Sequence, residues 1–172
     1  ISNTMRPTRR WGVFAGIACF FAVFAVVLGE PTPLLATAGL AGWLLLAQFE
    51  AVQTIRTVDR TLSATVSVGD TSVFVDDRTP VTVRASLSNP IDTPVEVELV
   101  APPSVRIASE RQRTLTIEAG ERTASTVCSV TFPVAGRISF ETLRVRVEDR
   151  PGYFTETITV DVDSQCLVNP PS

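Results

Sequence analysis

The sequence predicts a mainly β fold preceded by a hairpin of two α-helices, and two observations support this fold class. First, residues 11–28 and 33–48 are apolar runs without a charged side chain, separated by the short segment 29–32. Second, from Leu62 onward apolar and polar residues alternate in short segments, which is typical of half-buried β-strands. The 172-residue chain therefore combines a helical N-terminal part with one β-domain of ordinary size.

The two apolar runs have lengths suited to crossing a membrane. At about 1.5 Å of rise per residue, the first run spans roughly 27 Å and the second roughly 24 Å as helices. A bilayer core is about 30 Å thick and needs roughly 17–25 apolar residues. The second run meets this requirement if its helix continues through Phe49, Ala51 and Val52. A signal peptide is the alternative, but no small-x-small cleavage pattern precedes Glu30, and a second apolar run follows at once.

The charges beside the hairpin predict its orientation. Arginines flank it on both sides, with Arg6, Arg9 and Arg10 before the first helix and Arg56 and Arg60 after the second. The connecting loop holds Glu30 and no basic residue. Because positively charged flanks stay on the cytoplasmic side, we expect both ends of the hairpin, and the β-domain, in the cytoplasm. The sequence thus predicts a two-pass cell-membrane protein in contact with lipid.

Small residues recur at four-residue spacing in both apolar runs, as Gly12 and Gly16 in the first and Ala38 and Gly42 in the second. Such small-xxx-small patterns allow two helix backbones to approach closely. They indicate either a homo-oligomer or close packing of the two helices within one hairpin. We favour packing within the hairpin.

Seven or eight short strands, rich in Val and Thr, are predicted between residues 61 and 165, with turn residues between them and no amphipathic helix. The predicted core residues are Val83, Leu87, Val97, Leu143, Val145, Ile158 and Val160. Thr82, Arg84, Thr157 and Thr159 are expected on the outer face. This pattern predicts an immunoglobulin-like antiparallel β-sandwich. It lacks the Cys…Trp…Cys core of antibody domains, because both Trp residues lie in the hairpin.

These observations predict five segments along the chain. Residues 1–10 form a basic cytoplasmic head, with Met5 as a possible natural start, and residues 11–52 form the two-helix transmembrane hairpin. Residues 53–60 continue the second helix as a stalk. Residues 61–165 form the β-sandwich, and residues 166–172 are expected to be an extended tail.

The composition excludes several kinds of chemistry. The chain has no His, so a Ser-His-Asp or Cys-His triad and a histidine-ligated metal are excluded. It has no glycine-rich phosphate loop, and its net charge of −3 does not favour nucleic acid. We therefore expect no enzyme, no cofactor and no metal. All 15 basic residues are Arg, which suits a halophilic archaeal source, although biased codon usage explains it as well.

We expect structural rather than functional roles for the cysteines and for the pairs of acidic or basic residues on the strands. The three cysteines form no CxxC pair, and we expect Cys128 to pack as a small apolar residue. Asp161 and Asp163 are expected on a solvated outer face rather than at a calcium site. Arg144 and Arg146, on one outer face, are expected to form cross-strand ion pairs with Glu156 or Asp161, and the alternative is a basic patch for an acidic partner.

Residues 132–154, FPVAGRISFETLRVRVEDRPGYF, resemble a signature of domain-of-unknown-function family fifty-eight. In that family a strand enters through an R-G-like turn, continues through an aromatic residue and a Leu, and ends in an acidic-Pro-Gly-Leu-Phe-like turn. The matching residues are Gly136, Arg137, Phe140, Leu143, Asp149, Pro151, Gly152 and Phe154. Two departures are visible, since Gly136-Arg137 stands where Arg-Gly would lead, and Arg150 separates Asp149 from Pro151.

The resemblance implies an arrangement and a partner. Members of that family share the order of basic head, two-helix hairpin and β-domain, and they continue into a von Willebrand A-like domain whose D-x-S-x-S motif this chain lacks. They are associated with MoxR-type AAA+ ATPases, so the resemblance implies such an ATPase as a protein partner. The expected function is a membrane-anchored interaction or scaffold module that holds a partner or a following domain at the cytoplasmic face.

Two further functions remain open from the sequence. An envelope or surface adhesion subunit would place the β-domain outside the cell. An accessory subunit of a larger membrane complex would use the hairpin itself as its functional part. Neither alternative requires catalysis.

The segment formed by Asp149, Arg150, Pro151, Gly152, Tyr153 and Phe154 is the candidate site. Pro151 and Gly152 are typical of a tight turn, Phe154 is expected in the core, and Asp149 is expected to accept hydrogen bonds from backbone amides of the turn. We favour this structural role. The alternative places Tyr153 and Arg150 exposed at the tip as a contact for a partner.

Overall fold

The N-terminal part of the chain is a pair of helices. In the computed structural model, which describes residues 6–29, 31–69, 73–150 and 152–170 (backbone only for Arg6 and Glu110), helix α1 spans Arg9–Leu28 and helix α2 spans Thr32–Thr61. Helix α1 ends at Gly29, whose φ of 67° is left-handed and whose N–H donates to the Ala25 carbonyl at 2.9 Å. Proline suits the first turn of α2, because its fixed φ is already helical.

Both helices are long and apolar enough to cross a membrane. Their side chains are largely exposed in the isolated chain, with Phe20, Val26, Leu35 and Leu45 all more than 60% accessible. Only 6% of the apolar segment of α1 and 11% of that of α2 is buried. The apolar segments of these helices are therefore not buried core segments of a globular domain.

Helix α2 is longer than its apolar run and reaches into the β-domain. Its 30 residues span about 45 Å at the usual helical rise. The predicted stalk, residues 53–60, is helical, and within it Ile55 and Val58 are buried in the same apolar cluster as the β-strands. The end of α2 is thus a part of the core of the β-domain, and it passes into the first long strand at Leu62 without a linker.

The β-strands occupy most of the remaining chain. Their bounds are Arg6–Pro7 (β1), Leu62–Val68 (β2), Val73–Phe74 (β3), Arg78–Leu87 (β4), Val95–Leu99 (β5), Arg106–Ile107 (β6), Thr114–Ile117 (β7), Thr123–Thr131 (β8), Gly136–Glu148 (β9) and Phe154–Asn169 (β10). A short 3-10 helix, Glu110–Arg113, precedes β7. The predicted strands are present, whereas β1, β6 and the 3-10 helix had no signal in the sequence.

The strands form two sheets with a shared apolar core. Within the described residues, one sheet has the order β1-β10-β9-β5-β7, with β3 pairing in parallel to the end of β10. The other has the order β2-β4-β8-β6, and its pairs are antiparallel. Buried residues of both sheets belong to one cluster, so the domain is a β-rich unit of two sheets, consistent with a sandwich.

The predicted strand register is confirmed. The side chains of Val83, Leu87, Val97, Leu143, Val145 and Ile158 are buried, while Val160 is half-buried at the edge of the core. Arg84, Thr157 and Thr159 are exposed and Thr82 is half-buried, as expected of the outer face. A shift by one residue would exchange the buried residues with the outer-face residues, so the predicted register of the strands is correct.

Both ends of the predicted domain require correction. The expected tail from residue 166 is wrong up to Asn169, because β10 continues to that residue and buries Cys166 and Val168. The basic head is not separate from the domain either, since Arg6 pairs with Thr155 and Pro7 with Phe154 at the start of β10. In both cases a pairing partner far away in the chain orders the segment.

Truncating the core should be costly and truncating the outer face should not. Leu143→Ala removes a fully buried side chain and should lower the free energy of unfolding by about 2–5 kcal/mol. Thr159→Ala, on the neighbouring strand but exposed, should change it by less than about 0.5 kcal/mol. Chemical denaturation of the full chain in detergent micelles checks both values. Equal sensitivity of the two variants would contradict the register.

Candidate functional site

The turn between β9 and β10 is built as the sequence predicts. The Asp149 carboxylate accepts a hydrogen bond at 2.8 Å from the Phe154 N–H to its Oδ1, and the Gly152 N–H donates to the Asp149 carbonyl at 2.9 Å. Gly152 has a φ of 71°, in the left-handed region that favours glycine. The expected roles of Asp149 and Gly152 are confirmed, and Phe154 is buried. Pro151 lies outside the described residues.

The ring of Tyr153 lies between the two helices. It packs against Phe14 of α1 and Trp43 of α2, with ring centroids 5.3 and 5.7 Å away, and those two rings are themselves 5.7 Å apart. All three pairs meet nearly edge to face, at interplanar angles of 70–87°. This is the geometry that aromatic quadrupoles favour.

A second layer of contacts completes this packing. Phe154 lies beside Trp11, with centroids 6.4 Å apart, and both Tyr153 and Phe154 share a buried cluster with Ala47 and Ala51 of α2. We call this set the junction cluster. It consists of Trp11, Phe14, Trp43, Ala47, Ala51, Tyr153 and Phe154.

Two hydrogen bonds from Thr8, one from its backbone and one from its side chain, join the turn to the start of α1. The Thr8 N–H donates to the Tyr153 carbonyl at 2.7 Å, and the Thr8 hydroxyl donates to the Gly152 carbonyl, also at 2.7 Å. The two residues of the second bond are 144 positions apart in the chain. Thr8 thus fixes the turn to the N-terminal end of α1, a role that nothing in its sequence neighbourhood signals.

The alternative that placed Tyr153 at an exposed tip is wrong. Its side chain is 5% exposed, because the turn points toward the hairpin rather than into solvent. Arg150, by contrast, is exposed as expected. Side chains crowd Gly152 as well, since a Cβ there would lie 2.9 Å from Glu148 Oε1 and 3.2 Å from Arg10 Nη1.

The small residues of the helices do not pack within the hairpin. A Cβ placed on Gly12, Gly16 or Gly42 meets no other atom within 4 Å among the described residues, and Ala38 is exposed. The preferred explanation, close packing of α1 on α2 at these positions, is therefore wrong. Among the arginines that predict the orientation of the hairpin, Arg9 and Arg10 are the first two residues of α1. Arg56 and Arg60 lie near the end of α2.

A buried carboxyl group lies where α2 meets β10. Glu156 is 7% exposed and faces inward with Ile158, so the expectation that it pairs with arginines on the outer face is wrong. Burial, and secondarily the nearby Asp59 carboxylate, raise the pKa of Glu156. Arg144 instead contacts Glu98 across the sheet at 3.4 Å, and Arg113 contacts the same carboxylate at 2.7 Å.

The remaining candidate side chains are either buried in the core or exposed on the outer face of the domain. Cys128 is fully buried as expected, and burial raises the pKa of its thiol. Asp161 and Asp163 are exposed on β10, where the register shifts between Asp161 and Ser164. Within the part of the chain that the structure describes, no group of three or more His, Cys, Asp or Glu side chains could hold a metal ion.

Comparison with known proteins does not assign this chain to a family. No family model matches the sequence, and no curated protein matches it. Among solved structures, the chain is similar to a FixG-related protein from Vibrio parahaemolyticus, with 12% identity and a TM-score of 0.41. That likeness covers 63% of this chain and 97% of the other. At this identity and TM-score it carries no conclusion about function.

The junction cluster should contribute measurably to stability. Tyr153→Ala removes a buried ring that contacts both helices and should cost about 3–5 kcal/mol. Tyr153→Phe keeps the ring and should change stability by less than about 0.5 kcal/mol. Gly152→Val should cost about 1–3 kcal/mol, because a β-branched residue resists positive φ. Thermal melts of the full chain in detergent micelles check these values, and an unchanged melting temperature for Tyr153→Ala would contradict the packing.

The buried Glu156 should make stability depend on pH. Its folded-state pKa is raised, so its contribution is favourable at low pH and is lost as the pH rises from the ordinary Glu value through the raised pKa. Glu156→Gln removes this loss, and its melting temperature should exceed that of the parent chain by a few degrees near pH 7, with a smaller difference near pH 4. Glu141→Gln, an exposed change on β9, is the control and should show no such trend.

Proposed function

We propose that this chain is a membrane-anchored interaction module that holds a partner protein, or a following domain, at the cytoplasmic face of the cell membrane. The junction cluster is the observation that carries this proposal. It joins the β-domain to both helices, so the domain is held in a fixed position beside the membrane rather than on a flexible tether. A fixed position is what an anchor for a partner requires.

The aromatic residues of the junction support the placement in a membrane. Trp and Tyr are enriched where a membrane-spanning segment meets water, because their rings are apolar and their polar ends are hydrated. Both Trp residues and the single Tyr of the chain belong to the junction cluster, at the end of the hairpin that carries Arg9 and Arg10. The cytoplasmic orientation rests on these arginines together with Arg56 and Arg60.

The β-domain is, in our proposal, immunoglobulin-like. The strands longer than two residues, in chain order β2, β4, β5, β7, β8, β9 and β10, would be strands A to G of such a domain. The neighbours β2-β4-β8 then correspond to A-B-E, and β10-β9-β5 corresponds to G-F-C. The fourth strand, β7, pairs with β5 rather than with β8, which departs from the constant-type arrangement.

The partner we propose is a MoxR-type AAA+ ATPase, by the resemblance of residues 132–154 to domain-of-unknown-function family fifty-eight. Purified ATPase should bind the full chain in lipid nanodiscs. Binding that is lost in Arg150→Ala, at an unchanged melting temperature, would locate the contact at the exposed part of the turn. Binding that is unaffected would place the contact elsewhere on the domain.

An accessory subunit of a larger membrane complex is the second candidate. Gly12, Gly16 and Gly42 are open on the surface of the helices within the described part of the chain, which leaves those faces available to another helix. The oligomeric state in nanodiscs, compared between the parent chain and Gly16→Leu, distinguishes a self-associating hairpin from an isolated one.

Labelling of cysteines tests the orientation. In a chain without its native cysteines, single cysteines are placed at Thr32, the first residue of α2 next to the connection between the helices, and at Ser125, on the exposed face of β8. An impermeant thiol reagent added to intact cells should label the cysteine at position 32 and not that at 125, with both labelled after lysis. Labelling at 125 alone would favour an envelope or surface adhesion subunit instead.

A further inference from the structure

A cleft of about 440 Å³ lies beside α2 where that helix leaves its apolar run. One wall is α2 between Ala47 and Thr57, and the other is formed by the loop before β5 and by the start of the turn after β9. Phe49 at its edge is 61% exposed, whereas Glu50 and Gln53, also on this wall, are polar. For a hairpin in the membrane, the cleft therefore opens at the boundary between lipid and water.

Two residues that line this cleft, Asp149 and Thr93, each carry a buried polar atom that has no hydrogen-bond partner among the described residues. Asp149 is 8% exposed and Thr93 is 4% exposed. Asp149 Oδ1 accepts the turn hydrogen bond, but neither Asp149 Oδ2 nor Thr93 Oγ1 has a hydrogen-bond partner among the described residues. Burial of an unpaired carboxylate oxygen is costly, so a donor reaching this place would be held strongly.

The charged side chains that line the cleft indicate the kind of ligand that it would bind. Its lining carries the carboxyl groups of Glu50, Asp92 and Asp149 and the single guanidinium of Arg150. An ionised carboxylate can only accept hydrogen bonds, so the ligand must bring N–H or O–H groups, and the acidic surplus favours a cation. Burial raises the pKa of Asp149, and a bound cation would stabilise its ionised form.

We propose that this cleft binds a primary ammonium group, which donates hydrogen bonds to Asp149 Oδ2 and Thr93 Oγ1. The ammonium comes either from the amine headgroup of a membrane lipid or from a free amine in solution. Arg150, on the rim, suits the lipid source, because its guanidinium can pair with the phosphate of the same headgroup. The lipid source rests on the hairpin lying in the membrane, whereas the free amine does not.

The test measures thermal stability of the full chain in nanodiscs with matched amines. In phosphatidylcholine discs, ethanolammonium chloride should raise the melting temperature by about 2–4 °C once it is several-fold above its Kd. Tetramethylammonium chloride, which has the same charge and no N–H donor, should not. An equal rise with both salts, or no rise with any amine in any disc, would overturn the proposal.

A second pair of discs separates the two sources. Discs that contain phosphatidylethanolamine should raise the melting temperature without added amine if the ligand is a lipid headgroup, and free ethanolammonium should then add little. If the ligand is a free amine, only the dissolved salt should stabilise the chain. The cysteine-labelling test of orientation is independent of both disc measurements. A failure of the proposed amine binding can therefore be distinguished from a failure of the proposed membrane placement.

Variants show whether the stabilisation arises at this cleft. Thr93→Val keeps the shape of the side chain and removes its hydroxyl, and Asp149→Asn keeps a carbonyl oxygen for the Phe154 N–H while removing the charge. Each should reduce the amine-induced rise to less than half of its parent value. Asp161→Asn makes the same chemical change at an exposed position outside the cleft and should leave the rise intact. An undiminished rise in Thr93→Val and Asp149→Asn would overturn the assignment to this site.

Discussion

The position of the Tyr153 ring between α1 and α2 is the interaction on which the arrangement of the whole chain depends. A turn of a β-domain usually ends in solvent, but this one ends among the side chains of two apolar helices. The contact is possible because Gly152 takes a left-handed conformation and Asp149 holds the Phe154 amide, which together direct Tyr153 and Phe154 toward the hairpin. Without it, the two parts of the chain would be joined by the end of α2, by the short pairing of residues 6–7 with β10, and by the contacts of Thr8 and Trp11 with the turn.

Much of the fold follows from patterns that are local in the sequence. The apolar runs define the two helices, and the alternation around Val83, Val97 and Val145 defines which face of each strand is buried. Glu156 could have been placed as well, because it has the same parity as Ile158 and therefore faces the core. The expected ion pair with Arg144 or Arg146 placed it on the outer face instead, and charged residues are indeed buried only rarely.

The parts that sequence reasoning missed depend on contacts between distant segments. Thr8 lies in a polar head, and only its docking 144 residues away gives it a structural role. The alternative that placed Tyr153 at an exposed tip fails because the ring packs between α1 and α2, a contact that no local pattern in the sequence indicates. Thr93 lies in a loop between prolines. Its candidate role in ligand binding depends on Asp149, a residue distant in the chain that lines the same cleft.

The length of β10 determines how far a binding partner could lie from the hairpin. This strand begins at Phe154, against the hairpin, and continues for 16 residues to Asn169. At about 3.3 Å per residue the two ends of the strand are up to roughly 50 Å apart. The far end, where β3 pairs with Val168 and Asn169, is therefore the end of β10 that lies farthest from the hairpin along the strand. For a hairpin seated in the bilayer and a strand that runs away from it, a protein bound there would lie beyond the reach of the headgroup charges, which are screened within about 8–10 Å at physiological salt.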